Sequence, residues 1–470
     1  MELGTFKIVV LLTDVLVLLL VLGGIGFVVL ARRSYYYRAA WQQIRKKRLA
    51  MICLGIILLY GGVGLLDSVH LQLRAYDGEG QYQMNEEGQP LYDVEILSLL
   101  DLACSGLRAR AEKTFSAPFS SRQFTRELTE REDGTLGRDF PRLQHGGSHL
   151  QDEAERGNDI AALLLQGALL GLVLGGILLG LVLGGAVGCA RLRAGQGQSL
   201  HAAVRSGLKI GGFVGVVGLV ACVVAVLAAK YHVLGTDQVG QDVLFRALKG
   251  CRVGLIVGIL TTLIATPLAI LFGIVAGYMG GRADDAVQYV YTTLSSIPNI
   301  LLIAAVMLIV TSSVEKAHTV YAGDTRLVWL CVILGIGSWT GLCRLIRGET
   351  LKLRENEYVQ AAEALGVSPL KIMFRHILPN VSHIVLISVV LRFSGLVLAE
   401  AILAYVGIGV DPSMDSWGNM INAARLEISR DPIVWWNLLA AFVFMFGLVL
   451  PANIFGDAVR DALDPRLNTE

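Results

Sequence analysis

Charge is what this 470-residue chain has least of: Asp, Glu, Lys and Arg make up 17% of it, against 54% hydrophobic residues. That balance excludes a string of soluble domains and points to a polytopic membrane protein. The 40 basic and 39 acidic side chains nearly cancel, leaving +1, so nothing in the charge supports nucleic-acid binding. The seven cysteines form no CxxC pair and mostly lie in apolar runs, where they pack as small hydrophobes, which argues against a structural zinc site. No glycine-rich stretch ends in Gly-Lys-Ser/Thr, so a complete P-loop is missing and the chain does not hydrolyse ATP by that route. No nucleophile–base–acid set stands out. His145 and His149 have a metal-binding spacing only on a helix, and Gly146-Gly147 between them argues against one. We therefore expect no catalytic residue, no metal site and no cofactor bound by this chain.

What is present is a series of apolar runs. Nine are long enough, or nearly so, to cross a bilayer: about 8–30, 49–66, 161–188, 208–229, 253–277, 287–312, 327–346, 384–408 and 434–456. The first is too long for a typical signal-peptide core and reads as a retained span. Between Arg32 and Arg48 stand seven basic residues and no acid, which places that loop in the cytoplasm. The segment 67–160 holds 18 acidic against 10 basic residues and belongs outside. Alternation then puts the N-terminus outside, and 190–207, 278–286, the loop at 347–383 and the tail inside.

The outer segment 67–160 is polar, with few apolar residues for a core, so a small loose domain or an extended loop is expected. Residues 93–107 are compatible with one amphipathic helix. In the third span Leu169–Gly176 recurs as Leu178–Gly185. Gly167, Gly171 and Gly175, and again Gly176, Gly180 and Gly184, are spaced by four. Such stripes let membrane helices approach closely, within the chain or between chains, and packing within the chain is favoured.

The stretch from Glu357 to Asn380 reads as two short helices with a hinge. Gly366 suits the left-handed position after a helix, Ser368-Pro369 is an N-cap followed by proline at the first helical position, and Pro379 is expected to stop the second helix. Tyr358, Ala361, Ala362 and Leu365 follow a helical period and are expected to present a small-residue docking face, with Ala362 toward a partner. With Ala361-Ala362, Gly366 and Leu378-Pro379 in place, this stretch resembles the EAA loop of ABC-transporter permeases. The leading Glu of that pattern is Gln360 here, a departure at the charged position. The resemblance implies that the loop, with Glu357, Ala361, Ala362, Gly366, Ser368, Leu378 and Pro379, docks an ATP-hydrolysing subunit.

Flanking motifs extend the likeness over about 208–467, toward the dipeptide, oligopeptide and nickel permeases. They include Gly235-Thr236-Asp237, Asp242, Arg246 and Arg252 outside, and a tight glycine turn, Gly277 to Asp284. The eighth span runs through Glu400 to Gly409 and the outer Asp415-Ser-Trp417-Gly418, and the tail is Gly456-Asp457 to Asp464-Pro465-Arg466. Glu400 within its span is assigned either a structural hydrogen bond or a lining role, and Arg392 is expected to snorkel toward the cytoplasm.

The expected fold is thus an all-α polytopic membrane protein of about nine transmembrane helices. A six-helix type I importer core at 208–467 (transmembrane domain about 252–460) follows a three-helix extension at 1–207, which is expected to be removable without unfolding the core. The family implies an inner-membrane permease for peptides or similar solutes. Its partners would be a homologous permease, two ATP-binding cassette subunits holding ATP and Mg, and a periplasmic substrate-binding protein. Nickel or antimicrobial-peptide import is the alternative within the family; a secondary transporter or a membrane-anchored scaffold lies outside it.

Overall fold

The computed structural model describes residues 2–3, 6–75, 91–130, 136–150, 152–192, 200–316 and 322–463. It divides into two compact units, one of residues 1–102, 247–429 and 441–470 and one of 103–246 and 430–440. The division does not follow a boundary at 207.

In the first unit, strands β1 (Glu2–Leu3) and β2 (Phe6–Val9) precede helix α1 (Leu12–Ala31). Residues 8–9 of the expected first span are therefore strand, not helix. An amphipathic helix α2 (Tyr35–Lys46) leads into α3 (Arg48–Asp67). Strands β3 (His70–Arg74) and β4 (Tyr92–Ser98) complete an antiparallel sheet of order β1-β2-β3-β4. The single helix expected over 93–107 is not formed: 92–98 is β4, followed by short helices α4 (Leu99–Ala103) and α5 (Ser105–Arg108). Asp-Val-Glu-Ile fits period two as well as period 3.6, and β3 supplies the ladder that settles the choice.

In the second unit, a hairpin of β5 (Glu127–Glu130) and β6 (Leu136–Asp139) is followed by α6 (Arg156–Leu192) and α7 (Leu200–Ala228). The described part of the outer segment has a core, including Phe115, Leu143 and Leu150, and is more than an extended loop. The two glycine stripes of α6 separate in role. A Cβ on Gly167 or Gly171 would stand 2.8 Å from the Cα of Val223 or Leu219 on α7, so that stripe is a seat for α7. Gly176, Gly180 and Gly184 meet nothing within 4 Å.

The remaining helices are α8 (Val243–Met279), α9 (Gly281–Ser296), α10 (Asn299–Lys316), α11 (Ala322–Ser338), α12 (Thr340–Arg354), α13 (Glu357–Ala364), α14 (Pro369–Ile372), α15 (Leu378–Tyr405), α16 (Trp417–Glu427) and α17 (Trp436–Leu463). Eight helical stretches among the described residues are long and apolar enough to cross a membrane. The sixth expected span, 287–312, is a pair, α9 and α10, bent by 84°. Pro298 forces the bend: the residue before a proline is pushed out of the helical region, and Ile297 is extended at φ −92°, ψ 131°. The tight turn before α9 is made by Gly280 and Gly281, both at positive φ. Of the tail signature, Asp464-Pro465-Arg466 lies outside the described residues.

Candidate functional site

The helical loop between α12 and α15 is built from the inside outward. Val359 and Ala362 on α13, Ile372 on α14, and Met373 and Ile377 just after it are buried together with Tyr278 of α8, Tyr291 of α9 and Leu342, Cys343 and Ile346 of α12. The loop is thereby rooted in the ends of three membrane helices. Arg347 adds a bidentate clamp on Asp284, with N–O distances of 2.5 and 2.7 Å, which ties α12 to α9.

The hinge at Gly366 has the expected geometry. Gly366 stands at φ +76°; its N–H donates to Glu363 O at 2.9 Å, and that of Val367 to Ala362 O at 3.1 Å. Those two bonds are the Schellman pattern, which satisfies carbonyls that a helix end leaves open. Ser368 has extended backbone angles suited to a cap, but its side chain accepts no capping hydrogen bond.

Two expectations for this loop are corrected. Pro379 does not stop the second helix. Residues Met373–Ile377 form one π-helical turn and the chain then runs on as α15, with Pro379 in its first turn. Proline has no N–H to give and crowds the carbonyl four residues back, and the wider π turn before it absorbs both defects. Ala362 does not face outward: it is 7% exposed, on the inner side of α13 beside Val359. The outward face is made by Tyr358, Leu365, Leu370 and Phe374, with Leu365 84% and the last two each 66% exposed. Leu370 and Phe374 had no signal in the sequence beyond being apolar in a polar loop. Glu357 and Ala361 are exposed, and Leu378 is half-buried against the loop's core. Asn380 donates to Tyr358 Oη at 3.1 Å and to His376 O at 2.6 Å, closing the loop at its base.

The outer motif divides between the two units. In the second unit, Gly235 is at φ +73°, and a Cβ there would lie 2.4 Å from Ser116 O. Thr236 is fully buried, and its hydroxyl accepts from Ser116 N at 2.7 Å. Asp237 accepts from the N–H of Val239 and Gln241 and pairs with Arg246. Asp242 caps α8 through the N–H of Leu244 and Phe245, and takes a 2.8 Å contact from His232 Nδ1. The other ring nitrogen of His232 is 3.4 Å from Glu112, whose carboxylate also accepts from the N–H of Gln144, His145 and Gly146. Burial alone would lower the pKa of His232; Asp242 and Glu112 outweigh it and push it up to about 9. For Glu112 burial is likewise outweighed, by His232 and the three amides, and its pKa falls to about 2. The motif is thus a clamp on residues 112–116 and 144–146. Of the two histidines weighed for a metal, His149 pairs with Asp159 at 2.7 Å; both lie outside any helix.

In the first unit, Arg252 is buried and donates to Asp14 at 3.0 Å and Thr13 Oγ1 at 2.7 Å, with Asp324 at 3.8 Å. Asp14 also meets His70 Nδ1 at 2.8 Å. Lys249, one turn earlier, bonds both oxygens of Asp101. Nothing in the order of residues hints that α1 and α4 supply these partners, 238 and 148 residues away. Glu400 is 2% exposed against Gly418, and its Oε1 has no hydrogen-bond partner among the described residues. The Arg392 guanidinium donates to Ser338 O at 2.5 Å, at the break between α11 and α12, where a carbonyl is free to accept.

Taken together, these features define a polytopic helical membrane protein with a helical loop rooted in its spans. Residues 269–469 match the family model described as the binding-protein-dependent transport system inner membrane component. The chain is 34% identical over 238 residues to the oligopeptide transport system permease protein OppC of Haemophilus influenzae, covering 50% of this chain and 71% of that one. It is 33% identical over 239 residues to the glutathione transport system permease protein GsiD of Pectobacterium atrosepticum (51% and 74%) and 30% identical over 236 residues to the dipeptide transport system permease protein DppC of Bacillus subtilis (50% and 69%). The chain belongs to this family of ABC-importer permeases and is a multi-pass protein of the bacterial inner membrane.

Proposed function

We propose that this chain is the membrane-spanning subunit of an ATP-driven importer for peptides or similar small solutes. The peptide-class substrates in the names of its relatives support that choice. Its partners are a second, homologous permease, two ATP-binding cassette subunits that hold ATP and Mg and carry out hydrolysis, and a periplasmic binding protein that delivers solute.

The observation that carries the reading is the two-sided loop: an exposed apolar tip of Tyr358, Leu365, Leu370 and Phe374 over a buried core shared with α8, α9 and α12. Exposed apolar clusters on a polar loop mark docking surfaces. When the ATPases close, a tip held in their groove moves with them. The shared core passes that displacement to α12 and, through the unbroken π turn, to α15, so a two-state bundle is biased from the cytoplasmic face. Glu357, Ala361, Gly366, Ser368, Leu378 and Pro379 shape this element, and Gly235 to Arg252 keep the outer face in order.

The test is co-purification of ATPase subunits and uptake of labelled peptide with Leu370→Asp and Phe374→Asp. Loss of both, with the chain still inserted in the membrane, is expected. Normal uptake with ATPase attached would remove the coupling role.

A further inference from the structure

We infer that the first unit carries a site for one anionic phospholipid of the cytoplasmic leaflet, its headgroup on the basic helix α2 and one acyl chain in a groove between α1, α3, α8, α15 and α17. This goes beyond the transport reading and does not depend on it. The groove has a volume of about 460 Å³, within the roughly 300–1,000 Å³ of small-molecule sites. Its lining carries two polar side chains, Thr262 and Thr266, and both hydroxyls are spent on carbonyls one turn back, of Gly258 at 2.6 Å and Thr262 at 2.7 Å. The occupant receives no hydrogen bond there, so the part of it that fits is hydrocarbon. Leu20 and Ile57, which line the groove, sit near the middle of the 20-residue helices α1 and α3, so the groove reaches mid-membrane.

The groove's other end locates the headgroup. Val390 and Phe455 line the groove and also pack against the cluster that seats α2, formed by Ala40 and Ile44 with Ala458 and Leu463. Helix α2 is further tied to the base of α15 by Tyr37 and Ser382, 3.3 Å apart. Around α2, Lys47 pairs with Asp461 at 2.6 Å. Arg32, Arg33, Arg38, Arg45, Lys46 and Arg48 are exposed and have no carboxylate within ion-pair distance among the described residues. Six cations on or flanking α2 with no ion pair among the described residues, with Trp41 42% exposed among them, complement an acidic headgroup whose tail runs into the groove that α2 adjoins. A neutral lipid would fill the groove but leave those cations unanswered, and a free phosphate would leave the groove empty.

The probe is spin-labelled phosphatidylglycerol against spin-labelled phosphatidylcholine, added to the purified full chain in detergent–lipid micelles at low salt. The motionally restricted fraction is read by electron paramagnetic resonance. Phosphatidylglycerol should be preferred by roughly tenfold or more, and Arg45→Glu with Lys46→Glu should bring the ratio close to one, since each basic residue near a headgroup contributes about fivefold. Leu263→Trp, at an exposed groove position, should lower the restricted fraction of both lipids while the helical spectrum is unchanged. Glycerol phosphate at millimolar concentration should not compete. Equal restriction of the two lipids by the unaltered chain would overturn the inference, as would a preference that survives both variants or one abolished by glycerol phosphate. So would a groove found filled by another protein chain in the purified assembly.

Discussion

The His232 clamp gives a pH dependence whose sign and size follow from its partners. His232 is 3% exposed and lies between Asp242 and Glu112, which hold its pKa at about 9 against about 6.5 in an unfolded chain. A raised pKa means that the folded state keeps a proton the unfolded state gives up. The clamp's contribution is therefore complete below about pH 6.5, declines as pH rises, and is gone above about pH 9. The difference amounts to about 3 kcal/mol at most. On the acid side Glu112, with its pKa at about 2, contributes fully above its ordinary value and loses that contribution as pH falls through about 2. His232 and Glu112 share one interaction, so the two shifts are not summed. The assay is limited proteolysis of the segment 112–147 in the purified chain from pH 6 to 9.5, scored as the opening equilibrium, with His232→Gln as control. The unaltered chain should open roughly a hundredfold more readily at pH 9.5 than at pH 6. His232→Gln should be open at pH 6 and flat with pH in this range. A flat profile for the unaltered chain, or a steep one for His232→Gln, would refute the assignment of a charged histidine.

Three further outcomes are expected. Gly366→Ala should destabilise the loop by about 1 kcal/mol through its left-handed backbone alone, since nothing stands within 4 Å of the added Cβ, and Gly366→Val by more; thermal unfolding would read the difference. Ala362→Glu would bury a charge beside Val359 and should lower stability of the whole chain, whereas Leu370→Asp should leave stability alone and weaken ATPase attachment; a reversed pattern would invert the two faces of α13. Deleting residues 1–102 should strip Arg252 of Asp14 and Thr13 and leave it Asp324 at 3.8 Å, a loss below the roughly 3–5 kcal/mol of a wholly unpaired buried charge but added to the loss of α1 and α3 from the core. The truncated chain should then fail to fold, and a well-behaved truncated protein on size exclusion would show α1 to be dispensable.

The membrane class was fixed by composition, because a bilayer demands long uncharged helices and leaves few ways to write them. The left-handed turn at Gly366 and the tight turn at Gly280-Gly281 were legible for a local reason: few other residues take those angles cheaply. Position along the chain also sufficed to mark the Gly-Thr-Asp segment and the EAA-like loop. Tertiary structure alone decided which side of α13 is buried, since Ala362 and Leu365 both fit the period and packing against α8 and α12 chooses between them. It also turned 92–98 from a compatible helix into a strand, by offering β3 as a partner. It let the chain run helically past Pro379, by inserting a π turn that no residue pattern announces. Finally, it joined Arg252 to Asp14 and His232 to Glu112. A buried charge must find its counter-ion in space, and the distance between the two along the chain carries no record of the pairing.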